Sequence, residues 1–302
     1  MKKKIITAVL LSMVLCAGLL TACGGSDEDS EGTGDSDTLS RQVKVVAYEG
    51  VGSNVLKNID GDYKVRTYDQ LPDVEKKIKS GDYDVAVLPT TSAGRMYGKT
   101  GRKLVEISPA SMNGIYLLSN DYYLDENAKI SALATKTIYV SGEDSTAVRV
   151  FEYLMSEAGM DSSSYKLKVL DSYGEIRKAL ADYGNIALAS QPYATNLMKK
   201  NDQVVKLMDL NERFKEDTNL DIPTDVVIAK KSFAEKHDSD LRVFLKDYKK
   251  ANDKTRQPGQ QVFYSNTNRG ITILKEFNDA MYSYNSAIFD GRSLKNGLYY
   301  QQ

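Results

Sequence analysis

The chain has no tryptophan, one histidine, two cysteines and six prolines in 302 residues. The single histidine, His237, lies in the charged run FAEKHDSD, the pattern of a solvated helix end. With no second histidine, neither a histidine–carboxylate metal spacing nor a nucleophile–histidine relay can be assembled. Cysteine is equally uninformative for catalysis. Cys16 sits inside an amino-terminal apolar run and Cys23 directly follows it, so no internal disulfide and no free reactive thiol are expected. Charge of one sign is also missing. The formal net charge is -1, which excludes the basic footprint of a nucleic-acid binder. These absences leave catalysis, resident metals and cofactors without their parts, and make a binding function the expectation.

The amino terminus is better endowed. Lys2, Lys3 and Lys4 precede an uncharged apolar run from Ile5 to Leu20, and Leu20-Thr21-Ala22-Cys23 closes it. A basic start, a short apolar run and small residues before a cysteine read as a lipoprotein signal peptide over 1–22, cleaved to leave Cys23 as the lipidated amino terminus. An uncleaved anchor helix is the alternative, for which the run is short and early. Residues 23–40, CGGSDEDSEGTGDSDTLS, carry acidic, glycine and serine residues and no basic one, as a flexible tether does. At roughly 5–6 Å per square root of residue number, it reaches on the order of 20–25 Å from a membrane surface. Beyond it, acidic and basic residues nearly balance.

The body from Arg41 to Gln302 contains the same pattern twice. YKVRTYDQLPDVEKKIKSGDYDVAVLPTTSA, from Tyr63, aligns with YKLKVLDSYGEIRKALADYGNIALASQPYA, from Tyr165. Tyr63 falls on Tyr165, Asp69 on Asp171, Val74 on Ile176 and Ile78 on Leu180. Each copy reads as an alternating strand, an amphipathic helix and an apolar strand. Upstream of each copy a strand enters a glycine-and-hydroxyl loop, in VKVVAYEGVGSNVL and KTIYVSGEDSTAVRVFEYL. Two β-α-β units of one design predict two α/β lobes with largely parallel sheets. Gly114 to Ser119 and Asp225 to Ala229 read as strands that cross between the lobes, with Asn113-Gly114 and Pro223-Thr224 as pivots. Helical patterns at 240–253 and 271–283 are assigned to the first lobe. The predicted division is 41–112 plus 225–302 for lobe 1 and 113–224 for lobe 2, with two crossings as a hinge.

In order and spacing, DVAVLPTTSA, TIYVSGEDSTAVRVFEYLMSEAGMD, IALASQPYATNLM and IPTDVVIAKKSF resemble the substrate-binding lipoproteins of ABC importers. The branch resembled is the two-lobed, type II periplasmic-binding-protein-like one that serves nitrate, sulfonates, taurine and thiamine-pyrimidine or riboflavin precursors. The resemblance implies two α/β lobes with a ligand cleft between them. It also implies an ABC permease with its ATPase as partners, and a place on the extracytoplasmic face of the cell membrane. A ligand-binding sensor that hands its closed form to a receptor is the other reading of the same fold.

Ligands of open α/β sheets bind beyond the carboxyl ends of the strands, which marks the candidate site. In lobe 1 the candidates are Tyr48, Glu49, Gly52 and Ser53 on the first loop, and Pro89, Thr90 and Thr91 on the second. In lobe 2 they are Ser141, Glu143, Ser145 and Thr146, then Gln191 and Tyr193. Asn113 and Thr224 join them from the crossings. Several have a structural alternative: Thr90, Thr91, Ser145 and Thr146 as caps, Asn113 as a residue tolerant of an unusual backbone angle, Thr224 as a turn, Tyr193 as packing. Glu49, Glu143 and Asp144 disfavour an anion and point to a small neutral or cationic, heteroaromatic ligand held between tyrosines. Arg95 and Arg149, in the following helices, are the cations placed to oppose that reading.

Overall fold

The computed structural model describes residues 38–124, 128–142, 145–255, 268–294 and 296–300. The lipobox, Cys23, most of the tether, Glu143 and Asp144 lie outside the described residues.

The chain runs β1 (Val43–Tyr48), α1 (Val51–Leu56), β2 (Tyr63–Tyr68), α2 (Leu71–Ser80), β3 (Val85–Pro89), α3 (Thr90–Lys99) and β4 (Leu104–Met112). It then continues through β5 (Ile115–Ser119), β6 (Thr137–Ser141), α4 (Thr146–Glu157), β7 (Lys166–Leu170), α5 (Tyr173–Ala179), β8 (Ile186–Ser190), α6 (Tyr193–Lys200), β9 (Val205–Asp209) and α7 (Leu210–Thr218). Strand β10 (Pro223–Lys230) and helices α8 (Lys231–Lys236), α9 (Asp238–Thr255) and α10 (Asn268–Tyr284) complete it. The helix boundaries follow local chemistry. Helix α2 begins with a proline in its first turn and ends on Gly81 in the left-handed conformation, while Ser145 and Ser172 cap α4 and α5 with their side chains.

The duplication is real at the level of topology. One sheet has the order β2-β1-β3-β10-β4 and the other β7-β6-β8-β5-β9. In each, three strands of the β-α-β unit pair in parallel. The sheets are largely parallel, as expected, with one reversed strand in each. β10 runs antiparallel to β3 and β4, and β5 antiparallel to β8 and β9. The reason is the crossing itself: β5 and β10 each enter their sheet from the other lobe and so arrive pointing the opposite way.

The two crossings are tied to each other. The Asn113 amide donates to the Ile222 carbonyl at 2.7 Å, and the Ile222 amide donates to Asn113 Oδ1 at 3.0 Å. Thr224 Oγ1 donates to the Asn113 carbonyl at 2.6 Å. Asn113 and Gly114 both have positive φ, 55° and 78°, so the chain turns here in a region that asparagine and glycine tolerate best.

Each sheet carries apolar clusters on both faces. Helix α9 covers one face of the first sheet through Leu241, Phe244 and Tyr248. Helix α10 was expected on the first lobe alone, yet it packs on both. Its Leu274 belongs to the core of the first sheet, whereas Phe277 and Met281 belong to that of the second.

Candidate functional site

The strand ends of the two sheets face each other. Tyr48 is the last residue of β1, Ser141 the last of β6, Pro89 the last of β3 and Ser190 the last of β8. Two contacts cross between them. Tyr48 Oη and Ser141 Oγ are 3.3 Å apart. The Thr91 amide donates to Thr146 Oγ1 at 3.3 Å. The Tyr193 phenol also lies near the Glu49 carboxylate, whose charge, after burial, pushes its pKa upward.

These contacts leave two cavities. The inner one is about 20 Å³ and includes Glu49, Thr146, Gln191, Thr224 and Asp225 in its lining. That is space for roughly one water molecule. The outer one, which shares Tyr48 and Ser141 with it, is about 180 Å³. Its walls come from matching points of the duplication. Asp69 to Pro72, beyond β2, forms one side and Val169 to Asp171, at the end of β7, forms the other. Glu75 and Arg95 also line it, held together as an ion pair.

The field in this cleft is negative. Arg95 is matched by Glu75, while Asp69 and Asp171 bring two further carboxylates to the outer cavity. Asp225 is buried at the inner one, accepts from Ser111 Oγ at 2.8 Å and takes a further bond from the Gly52 amide. Burial outweighs those two bonds and holds its carboxyl above the usual carboxylate range. The neighbouring phenols register the same field. The hydroxyl of Tyr48 is pushed up first by burial and then by the charges of Asp225, Glu49 and Asp69, with the bond to Ser141 opposing. Tyr193 is pushed up by burial and by Glu49, and Tyr173 by burial first.

The candidates read from the sequence divide into two groups. Tyr48, Glu49, Pro89, Ser141, Ser145, Thr146, Gln191 and Thr224 line the inner cavity, and Tyr48 and Ser141 the outer one as well. Several of these are also occupied locally: Ser145 accepts from the Val148 amide as a cap, and Gln191 Oε1 accepts from Thr195. Gly52, Ser53 and Thr90 serve the scaffold. A Cβ on Gly52 would lie 2.6 Å from Val87 Cγ1, so this glycine is required by packing. Ser53 Oγ bonds both the amide and the carbonyl of Gly50, and Thr90 Oγ1 donates to the Pro223 carbonyl at 2.6 Å. Asn113 is spent on the crossing. The Tyr193 ring stacks on Tyr173, with centroids 3.8 Å apart and planes 8° from parallel. Of the two arginines, Arg95 lines the outer cavity and Arg149 bonds Glu152 at 2.7 Å on its own helix.

Sequence reasoning missed Asp69, Asp171, Asp225 and Tyr173. The alignment of Asp69 with Asp171 was the available signal for the first two. The single histidine lies away from the cleft, stacked on Phe233 with Nδ1 3.4 Å from Asp240. Among the described residues no group of three histidine, cysteine, aspartate or glutamate side chains is placed to hold a metal ion, and no helix is long and apolar enough to cross a membrane.

No protein-family model matches the chain, and no curated protein matches its sequence. Solved structures do match. An ABC transporter from Parabacteroides distasonis aligns over 86% of this chain and 99% of its own at 18% identity, with a TM-score of 0.60. The alkanesulfonate-binding protein of Xanthomonas axonopodis pv. citri, bound to MOPS, aligns over 82% and 94% at 11% identity, with a TM-score of 0.61. The ligand-binding component of an ABC-type import system from Staphylococcus aureus, with zinc bound, aligns over 82% and 84% at 13% identity, with a TM-score of 0.57. At such identities the likeness is one of fold. The chain has the two-lobed, periplasmic-binding-protein-like α/β fold.

Proposed function

We propose that the protein is the substrate-binding lipoprotein of an ABC importer. In this reading it is anchored through Cys23 on the extracytoplasmic face of the cell membrane and delivers a small molecule to a permease and its ATPase. Lobe 1 comprises 41–112 plus 225–302 and lobe 2 comprises 113–224. Two or three acyl chains on Cys23 hold the body stably where one would hold it only marginally. The protein binds rather than catalyses. Its structural relatives include binding components of importers, and its cleft offers carboxylates, hydroxyls and phenols without a histidine or thiol beside them.

The observation that carries the reading is the pair of contacts across the cleft, Tyr48 to Ser141 and Thr91 to Thr146. They belong to a closed form around a cavity of about 180 Å³, and a ligand that touches both walls stabilises that form by its differential affinity. Charge selects the ligand. An anion there meets Asp69 and Asp171 with the one guanidinium already paired, whereas a neutral or cationic nitrogen heterocycle, such as a vitamin precursor, donates to those carboxylates and lies against Tyr48. A sensor that signals through a receptor uses the same closure with a different partner. A sulfonate or nitrate carrier requires the charge to be reversed.

A thermal-shift screen of aminopyrimidines, other heterocycles and amines against taurine, alkanesulfonates and nitrate tests the assignment. Stabilisation by a heterocycle or amine is expected. Strong stabilisation by a sulfonate with none by any nitrogen compound would refute the ligand class while leaving transport in place.

A further inference from the structure

A further cavity lies outside the cleft. It is a groove of about 230 Å³ between α5 and α6, on the far side of the Tyr173–Tyr193 stack. Its floor is apolar, from the two tyrosine rings and the buried Leu197, and Arg177, Asn196 and Lys200 stand around it. Cations in the last turn of a helix are ordinary, because they meet the negative end of the helix dipole. Here they also flank a concave surface. Among the described residues neither Arg177 nor Lys200 has a carboxylate partner, and no acidic side chain lines the groove. The cleft carries the opposite charge a few residues away, so the two faces of one aromatic stack look into fields of opposite sign.

We propose that this groove is a second ligand site, for a small carboxylate with an apolar body, and that its occupancy is coupled to closure of the cleft. The carboxylate pairs with Arg177 and Lys200, and the body covers Leu197 and the tyrosine rings. The coupling runs through two residues. Tyr173 lines both the groove and the inner cavity of the cleft. Tyr193 forms the groove wall and stacks on Tyr173, and Glu49 of the opposite lobe lies near its hydroxyl. A ligand that fits the wall in this position favours the state in which Tyr193 lies near Glu49, and closure in turn tightens the groove. The coupling rests on the closing-cleft reading; the groove as an anion site does not.

Benzoate is the probe, titrated into 15N-labelled protein at constant ionic strength, with benzylamine as the cationic counterpart. Benzoate should shift the amides of Gly174, Asn196 and Leu197 saturably, and benzylamine should leave them still. The double variant R177A/K200A, which removes no residue of the cleft, should weaken benzoate at least about tenfold, the scale of one lost charge-assisted contact. Equal shifts in the double variant, or equal binding of benzylamine, would overturn the site. The coupling has its own readout, the Glu49 amide. It should move with benzoate in the wild type and stay still in Y193F at benzoate concentrations that saturate the groove of that variant, since coupling makes the variant's own benzoate affinity lower. A Glu49 amide that is motionless in the wild type while the groove residues shift would refute the coupling alone. A transport reading that failed in the thermal screen would leave the groove titration unchanged, so the two failures are separable.

Discussion

β4 and β9 hold the same place in two sheets of the same order, and they are treated in opposite ways. All nine residues of β4 are buried. Helix α10 lies over it, and the chain end bridges its outer edge, with Glu106 paired to Tyr299 and the Tyr300 amide donating to the Glu106 carbonyl at 2.9 Å. β9 is short and leaves Val205 and Lys206 exposed. An uncovered edge strand is a template for unwanted pairing. The first lobe answers with a cover and the second with a short strand and a lysine, so one topology tolerates either. The cover has a chemical consequence that the open edge escapes: Glu106 is sealed inside, where no cation among the described residues meets it.

The largest expected effect tests the cover. Phe277 packs beside Phe214 at a centroid distance of 5.8 Å, four residues before Met281 in the core of the second sheet, while Leu274 holds the first. Leu274→Ala, which removes the α10 side chain packed with Leu104 of β4, should cost about 2–5 kcal/mol in denaturant unfolding, as deletion of a buried leucine side chain does. Val205→Ala on the open edge should stay within about 0.5 kcal/mol. If the two variants cost the same, α10 is not a structural cover and the contrast between the edges fails.

Next in size is the sealed carboxyl. Burial pushes Glu106 up from 4.5 to about 8, against the opposing bond from Asn278 Nδ2 at 3.1 Å. The other titratable group at the site is the Tyr299 hydroxyl, 3.4 Å from the same Nδ2, which burial and Glu106 together push upward. The folded state therefore keeps a proton on Glu106 that the unfolded chain releases above pH 4.5. Its contribution is fully present below that pH and is lost as pH rises toward about 8, with a slope of at most about 1.4 kcal/mol per pH unit. Glu106→Gln should flatten the stability profile across that window. A profile with the same slope in both proteins would mean that other groups carry it.

How much of this was legible can be judged from the same strands. The apolar runs of β3 and β8 and the periodic helices α2 and α5 stand out because both their faces or one stripe must be dry, and composition records that demand directly. β4, LVEISPASM, mixes charge and proline and carries Glu106 and Pro109 in its interior. Nothing local announces that a helix more than 160 residues later will bury it. At the cleft the loops were legible and the side-chain directions were not. Ser53 and Thr90 look like ligand donors in sequence and are consumed by Gly50 and Pro223. Asp225 escaped notice because its neighbour Thr224 matched the expected pivot.

The two lips sharpen the comparison further. Thr90→Val in lobe 1 strands the buried Pro223 carbonyl and should cost about 1–3 kcal/mol. Ser145→Ala in lobe 2 removes a cap and should cost about 1 kcal/mol. Both losses should show in unfolding midpoints. Equal and negligible costs would mean that neither hydroxyl is part of the scaffold, and would return both to the list of ligand donors.

The smallest expected effect is the most specific to the cleft. Tyr193→Phe preserves the stack on Tyr173 and removes only the hydroxyl that lies near Glu49. A hydrogen bond between these two in the ligand-bound form joins opposite lobes, so it stabilises the closed arrangement and leaves each lobe's own core untouched. One such bond contributes about 0.5–1.5 kcal/mol, and its loss should weaken the ligand identified by the thermal screen by roughly 3- to 10-fold. The unfolding midpoint of the ligand-free protein should hardly move. The informative result is therefore the difference between the two measurements. If Tyr193→Phe lowers stability without ligand as much as it lowers affinity, the bond belongs to the resting scaffold and the two lobes do not separate there.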